Sequence, residues 1–296
     1  MPRRGAGPGP RATILIRIIS TPAGRIGVAL VSAVTVAVLA APVLAWHDPV
    51  AMARGFELQP PSSDHLLGTD QFGRDIWSRI AFGGRVSLAV GVVAVLLGSA
   101  VGVSSGLVAG YFGGLVDRIV MRVGDGLLAF PAVILAITIT AVVGPSPQTV
   151  ALAVGIVSLP TFARLTRAIA LVQKQLEYIT AARCLGLTDL RIIVRHLYPN
   201  VLPPILVQTQ VAMAQAVLLE AGLSFLGFGV RLPEPSWGGM LAESRGFLRE
   251  APWMALFPGL ALSLFVLGLF LLGDALREAL STRSAQAAAS PGGGAA

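Results

Sequence analysis

"AARCLGLTDLRIIVRHLYPN", residues 181–200, is a basic, interrupted helical segment set between two long apolar runs. Upstream of Gly186, the apolar residues Val172, Leu176, Ile179 and Ala182 recur near the 3.6-residue helical period. Downstream, Leu190, Ile193, Val194 and Leu197 do the same. The pattern predicts two short amphipathic helices meeting at a glycine. Gly186 suits the left-handed position that closes the first helix, Thr188 the cap of the second, and Asp189 its electropositive first turn. Pro199 is expected to end the second helix, with Pro203 and Pro204 near the start of the next apolar run. Such a pair can lie on lipid, pack beneath its own bundle or enter a groove on another protein, and periodicity leaves all three open.

Outward from this segment the chain is too apolar for a soluble domain, with 54% hydrophobic residues, 12% charged and a mean hydropathy of +0.77. Six runs reach the ~20 residues with which a helix crosses about 30 Å of hydrocarbon. They are 26–46, 86–108, 123–143, 149–170, 204–223 and 254–273. A cleavable signal peptide is the alternative for the first, but its length exceeds the usual apolar core of about 7 to 15 residues. The fold class expected is all-α: a polytopic membrane protein with six transmembrane helices. Its divisions are a basic tail (1–25), the first span with an external segment (26–85), a core (86–279) containing the loop 173–200, and a tail with nothing to bury (280–296). The stretch up to about Arg11 is expected to be disordered, as is that last tail. Fifteen Lys and Arg residues fall on one side of this arrangement and seven on the other. Both termini are therefore expected to be cytoplasmic, with 47–85 and 231–253 outside.

The net charge of +7 is spread over loops rather than gathered on a basic face with aromatics, which argues against nucleic acid. The single Cys184 and the scattered His47, His65 and His196 show no disulfide or metal-ligand spacing. There is no phosphate-binding G-x-x-x-x-G-K-[ST] run and no H-E-x-x-H pair, so neither nucleotide hydrolysis nor zinc proteolysis is expected of this chain. A self-sufficient channel or secondary transporter would need intramembrane charge pairs, and the spans offer little beyond Glu220. Glu220 reads either as a pathway residue or as a hydrogen-bonded structural carboxylate. Gln208, Gln210 and Gln215 read either as a polar conduit or as interhelical links. Pro131 and Pro160 mark kinks or hinges within the third and fourth spans. Asp70 and Asp75 in "GTDQFGRD" face a partner or serve as turn and cap. Asp117, Arg118, Arg122 and Asp125 solvate or ion-pair one end of the third span.

Thr180-Ala181-Ala182, Gly186, Ile193 and Tyr198-Pro199 resemble the cytoplasmic coupling loop of the membrane subunits of binding-protein-dependent ABC importers. That family carries Glu-Ala-Ala where this chain has Thr180, and Leu-Pro where it has Tyr198 and Pro199. "HLLGTDQFGRDIWSRIAFGGRVSL" (65–88), "DRIVMRVGDGLLAFPAVILAI" (117–137), "LLEAGLSFLGFG" (218–229), "PSWGGML" (235–241) and "PWMALFPGLALSLFVLGLFLLGDALREAL" (252–280) are similar, in order, to landmarks of the second permease subunit of dipeptide, oligopeptide and nickel importers. The likeness covers roughly 26–283.

It implies a type I ABC importer permease fold in the plasma (inner) membrane, and a transport subunit for peptides rather than an enzyme. The implied partners are a second permease subunit, one or two ATP-binding subunits and an external substrate-binding protein. ATP and magnesium would bind those partners, and no cofactor this chain. Carried over residue by residue, coupling to the ATPase falls to Thr180, Ala181, Ala182, Arg183, Gly186, Asp189, Arg191, Ile193, Arg195, His196 and Pro199. The alanines and Gly186 would set the bend, and Arg183, Arg191, Arg195 and His196 would meet the partner or phospholipid. Gln208, Gln215 and Glu220 would belong to the translocation pathway, and Asp70 and Asp75 to the external segment.

Overall fold

A computed structural model describes residues 17–231 and 233–289. Among them all regular structure is helical, apart from one isolated antiparallel bridge between Thr69 and Asp75. In chain order the helices are α1 (Pro22–Leu39), α2 (Ala41–Leu44), α3 (Ile76–Phe112), α4 (Gly114–Leu128), α5 (Ala132–Val143) and α6 (Pro147–Gln173). They are followed by α7 (Glu177–Cys184), α8 (Asp189–Ile192), α9 (Tyr198–Phe225), α10 (Trp237–Ser244) and α11 (Trp253–Ala289). α1, α3, α6, the run Asp189–Phe225 and α11 are long and apolar enough to cross a membrane, and a sixth span results if α4 and α5 count as one.

The third span, expected over 123–143 with a kink or hinge at Pro131, is broken there outright. α4 and α5 meet at 89°. Pro131 sits at the N-cap of α5; it has no amide to donate, and it disfavours helical backbone at Phe130 before it, so the helix breaks there. Pro160, by contrast, lies buried inside an uninterrupted α6. The first span also differs from its expected bounds: α1 starts within the basic tail and ends at Leu39 rather than 46. α11 continues to Ala289, so 280–289 is helical where the sequence suggests a structureless tail. The expected disorder up to Arg11, and that of 290–296, lies outside the described residues.

α3 is the central column, and its 37 residues set its ends about 55 Å apart. It packs along α6 through Gly98, Gly102, Gly106 and Gly110, one glycine per turn on a single face. A Cβ on Gly98 would lie 2.1 Å from Ser158 Oγ, on Gly102 2.6 Å from Leu159 O, on Gly106 2.4 Å from Ala163 O and on Gly110 2.7 Å from Ala170 Cβ. Only hydrogen at these positions lets the backbones approach so closely, and in lipid that contact replaces the missing hydrophobic drive. α4 is tied to α6 by the guanidinium of Arg167 on the Asp117 carboxylate and by Arg164 to Asp125 at 2.6 Å. Both carboxylates of the 117–125 group therefore ion-pair with the neighbouring helix.

At the Asp75 end, the chain between α2 and α3 folds onto the helix ends. Three indole N–H groups donate to main-chain oxygens there: Trp253 to Thr69 O within that chain (3.1 Å), Trp77 of α3 to Leu44 O at the end of α2 (2.9 Å), and Trp237 of α10 to Ile80 O of α3 (3.0 Å). Beneath them four charges cluster, three of them buried and Glu243 partly so. Arg74 Nε donates to Asp70 Oδ2 (2.6 Å) and its Nη2 to Glu243 Oε2 (2.7 Å), while Arg79 Nη2 donates to Glu243 Oε2 (2.9 Å) and its Nε lies 3.4 Å from Asp70 Oδ2. Two guanidiniums and two carboxylates cancel, the arrangement a low-dielectric site demands.

Candidate functional site

The segment 177–200 lies at the Phe112 end of α3. α7 closes as the sequence predicts. Gly186 has φ +74°, Gly186 N–H donates to Arg183 O (2.9 Å) and Leu187 N–H to Ala182 O (3.2 Å). These are the two reversed bonds by which a left-handed glycine satisfies the last carbonyls of a helix. Thr188 occupies the cap position of α8, although its side chain makes no capping bond.

The second helix departs from expectation. It does not stop at Pro199: α8 passes through a π turn, Ile193–Leu197, into α9 without a break. The wide turn carries the helix past the amide that Pro199 lacks. It also rotates the buried face. Ile192, Ile193 and Leu197 point into the core beside Ile179 and Ala182, whereas Leu185, Leu190 and Val194 are 79%, 71% and 57% exposed. Thr180, Ala181, Arg183, Gly186, Asp189, Arg191, Arg195 and Pro199 are exposed around these apolar residues, and His196 is half-buried.

Two sets of contacts fix the segment to the bundle. Tyr111, one residue before the end of α3, donates its hydroxyl to Asp189 Oδ1 at 2.5 Å and lies beneath the Arg183 guanidinium at 5.2 Å. On the other side Tyr178 OH donates to Gln173 Oε1 (2.6 Å) at the end of α6, and within the segment Asn200 Nδ2 donates to Tyr178 OH (3.2 Å) and to His196 O (2.7 Å). Since 189–225 is one continuous helix, movement imposed on α8 passes directly along α9.

α9 lines a cavity of about 490 Å³ between α4, α5, α6 and α9. Its wall is mainly apolar (Val133, Val154, Val157, Phe162, Leu219 among others), and its polar groups are Ser158, Thr161, Gln208 and Gln215. The two glutamines singled out for the pathway thus share one cavity. Glu220 does not: it is fully buried on another face of α9, where Oε1 accepts from Ser224 Oγ at 2.7 Å and Oε2 has no partner among the described residues. Ser87 of α3 and Ser236, the cap of α10, lie beside it. Asp70 and Asp75 are also turned inward. Asp70 accepts from Phe72 N (2.8 Å) and Arg74 N (3.0 Å), and Asp75 caps α3 through Ser78 N (2.8 Å). Both carboxylates thus make turn and cap bonds.

One grouping has no sequence signal. His47 and His65, read as scattered, converge on Asp75. The residues are too far apart in the chain for any short motif to join them.

Residues 102–286 match the family described as binding-protein-dependent transport system inner membrane component. The chain is 42% identical over 258 residues to the dipeptide transport system permease protein DppC of Alkalihalophilus pseudofirmus, covering 87% of this chain and 85% of that one. It is 48% identical over 223 residues to the glutathione transport system permease protein GsiD of Pectobacterium atrosepticum, covering 75% and 74%. In fold it is similar to a chain of the MetNI methionine ABC transporter in an inward-facing conformation, with a TM-score of 0.56 at 20% identity over 69% of this chain and 97% of that one.

Proposed function

Because the chain belongs to the family of binding-protein-dependent transport system inner membrane components, we propose that it forms half of a peptide uptake pathway driven by ATP hydrolysis on separate subunits. As a permease subunit it moves solute and is not itself a catalyst. The observation that carries the reading is the exposed apolar set Leu185, Leu190 and Val194, held on a segment that continues without a break into the cavity-lining α9. These three side chains, ringed by Arg183, Arg191 and Arg195, form the surface received by a groove on an ATP-binding subunit. One or two such subunits carry the ATP and magnesium, a second permease subunit closes the open side of the cavity, and an external substrate-binding protein delivers the solute. The excess of Lys and Arg flanking 177–200 supports an inner-membrane orientation with both termini cytoplasmic. On that orientation 1–25 and 280–296 are cytoplasmic ends, 26–85 supplies the first span and an external segment, and 86–279 is the working core with its loop at 173–200.

The cavity supports peptides as the solute class. Its polar groups are hydroxyls and amides without a formal charge, so they offer hydrogen bonds to a peptide backbone while discriminating little between acidic and basic side chains. Selection then rests with the binding protein. Relatives named for dipeptides and for glutathione fit that tolerance.

The test is coupling in the complete complex reconstituted with its binding protein. Gly186→Leu places a Cβ on a left-handed backbone and destroys the bend, at a cost of about 1–2 kcal/mol confined to the loop. The complex is expected to assemble and to lose peptide-stimulated ATP hydrolysis, whereas Gly186→Asn, which tolerates that conformation, retains it. Full stimulation in Gly186→Leu would refute the coupling role. Tyr111→Phe removes the hydroxyl's bonds to Asp189 and Arg183 and leaves the ring under Arg183 in place. A charge-assisted hydrogen bond contributes about 1.5 kcal/mol or more, so stimulation is expected to fall by about ten-fold with basal hydrolysis unchanged.

A further inference from the structure

At the Asp75 end of the bundle, His65 Nδ1 lies 3.0 Å and His47 Nδ1 4.0 Å from the same oxygen, Asp75 Oδ1. The imidazole rings stand 4.7 Å apart between centroids at 35°. One ligand atom from each of the three residues lies within 4.8 Å of the other two. We propose that His47, His65 and Asp75 form a binding site for a divalent transition-metal ion of the imidazole-preferring kind, with zinc as its representative, bound by three protein ligands and open to solvent at the remaining position.

The donor set fits such an ion. Two imidazole nitrogens and a carboxylate oxygen suit zinc and its neighbours rather than calcium or magnesium, which take oxygen. Ligands bound tetrahedrally at about 2.0–2.1 Å stand about 3.3 Å from one another. The observed 3.0 and 4.0 Å straddle that separation, and the largest adjustment falls on His47, the most exposed of the three at 42%. A plain His65–Asp75 hydrogen bond would account for one imidazole. It does not account for a second imidazole whose nitrogen approaches the same oxygen from beyond hydrogen-bonding distance.

The backbone around the site is already held. Leu44 O and Pro49 O, on either side of His47, accept from Trp77 Nε1 (2.9 Å) and Arg79 Nη1 (3.2 Å). His65 O accepts from Ser62 N and Gly68 N, both at 2.9 Å, and the Phe56 ring stands edge-on to the His65 ring at 6.2 Å. Asp75 divides its work: Oδ2 caps α3 through Ser78 N and Oγ, and Oδ1 faces the two imidazoles. The carboxylate also offsets the positive end of the α3 dipole, which would otherwise repel a cation. Burial rises from exposed His47 through His65 to Asp75, so an ion enters over His47. Its effect would be to fasten the chain leaving the first span to the cap of the central helix.

The test uses the assembled, tag-free complex in lipid nanodiscs, stripped with EDTA and titrated with zinc chloride, with bound metal measured after gel filtration. Wild type is expected to retain stoichiometric zinc at this chain. His47→Gln is expected to weaken zinc binding by at least about ten-fold, since loss of even an outer-sphere partner costs that much, and His65→Gln to do the same. His196→Gln, at the other end of α3, should change nothing. Cobalt should give a ligand-field absorption in wild type that His47→Gln abolishes. Zinc on partner subunits is common to all variants, so the difference between wild type and His47→Gln isolates this site, and the exposure of His47 keeps that variant folded. Equal retention by wild type and His47→Gln, or no retained zinc at all, overturns the proposal.

Discussion

Replacing Glu243 by alanine is expected to destabilise the chain by about 3–5 kcal/mol, because it strands one of two buried guanidiniums without a counter-charge. The Arg74 and Arg79 side chains are 2% and 1% exposed, and Asp70 alone would then have to serve both. Removing charge symmetrically separates this from a loss of packing. Arg79→Met combined with Glu243→Ala leaves the Arg74–Asp70 pair at 2.6 Å and restores neutrality, so the double variant should regain most of what Glu243→Ala loses. Thermal denaturation of the purified complex reads both. A melting temperature for Glu243→Ala close to wild type, or a double variant worse than the single, would show that charge balance does not hold this end together. Glu243 lies on α10, Arg79 in the first turn of α3 and Arg74 just before it, so the same loss should free α10 from the connection between α2 and α3.

These charges also show what the sequence could and could not disclose. The apolar runs and the turn at Gly186 are local: hydropathy over about 20 residues and one glycine after an amphipathic stretch carry them, and both are found in place. Where the reading of the segment 177–200 failed, it failed at Leu190 and Val194. The 3.6-residue period assumes an unbroken α-helix, and the π turn at Ile193–Leu197 shifts the register so that Ile192 faces inward instead. The broken third span was signalled by Pro131, but a proline within an apolar run is as compatible with a mild kink as with the 89° bend found. Cost alone marks Glu220 as notable without choosing between a pathway and a structural role; its burial away from the glutamine-lined cavity, with a bond from Ser224 one helical turn on, has no trace in the sequence. The convergence of His47 and His65 on Asp75 depends on how one long connection, 45–75, folds back on itself, and has no one-dimensional trace. The glycine row of α3 is different: four glycines at four-residue spacing are a visible pattern whose meaning needs only the identity of the facing helix.

That row yields a prediction in which neighbouring glycines should respond differently to the same remedy. At Gly106 the atom in the way is a main-chain oxygen, Ala163 O, 2.4 Å from a new Cβ, with Thr166 Cβ at 2.9 Å. No side-chain change on α6 can remove that oxygen. Gly106→Ala is therefore expected to push the helices apart, losing about 1–3 kcal/mol to overpacking and more as neighbouring contacts open along the row, and Ala163→Gly should not rescue it. At Gly110 the nearest atom is a side chain, Ala170 Cβ at 2.7 Å, followed by Arg167 O at 3.0 Å. Gly110→Ala should be destabilising alone and largely repaired by Ala170→Gly, which exchanges the methyl from one helix to the other at constant volume. Gly126→Ala, with nothing within 4 Å of its Cβ, serves as the neutral control. Accumulation of the complex in membranes and its thermal stability after extraction measure all five variants. Rescue at Gly106 by Ala163→Gly, or failure of rescue at Gly110, would show that the contact between α3 and α6 is not set by main-chain approach at Gly106 and side-chain fit at Gly110.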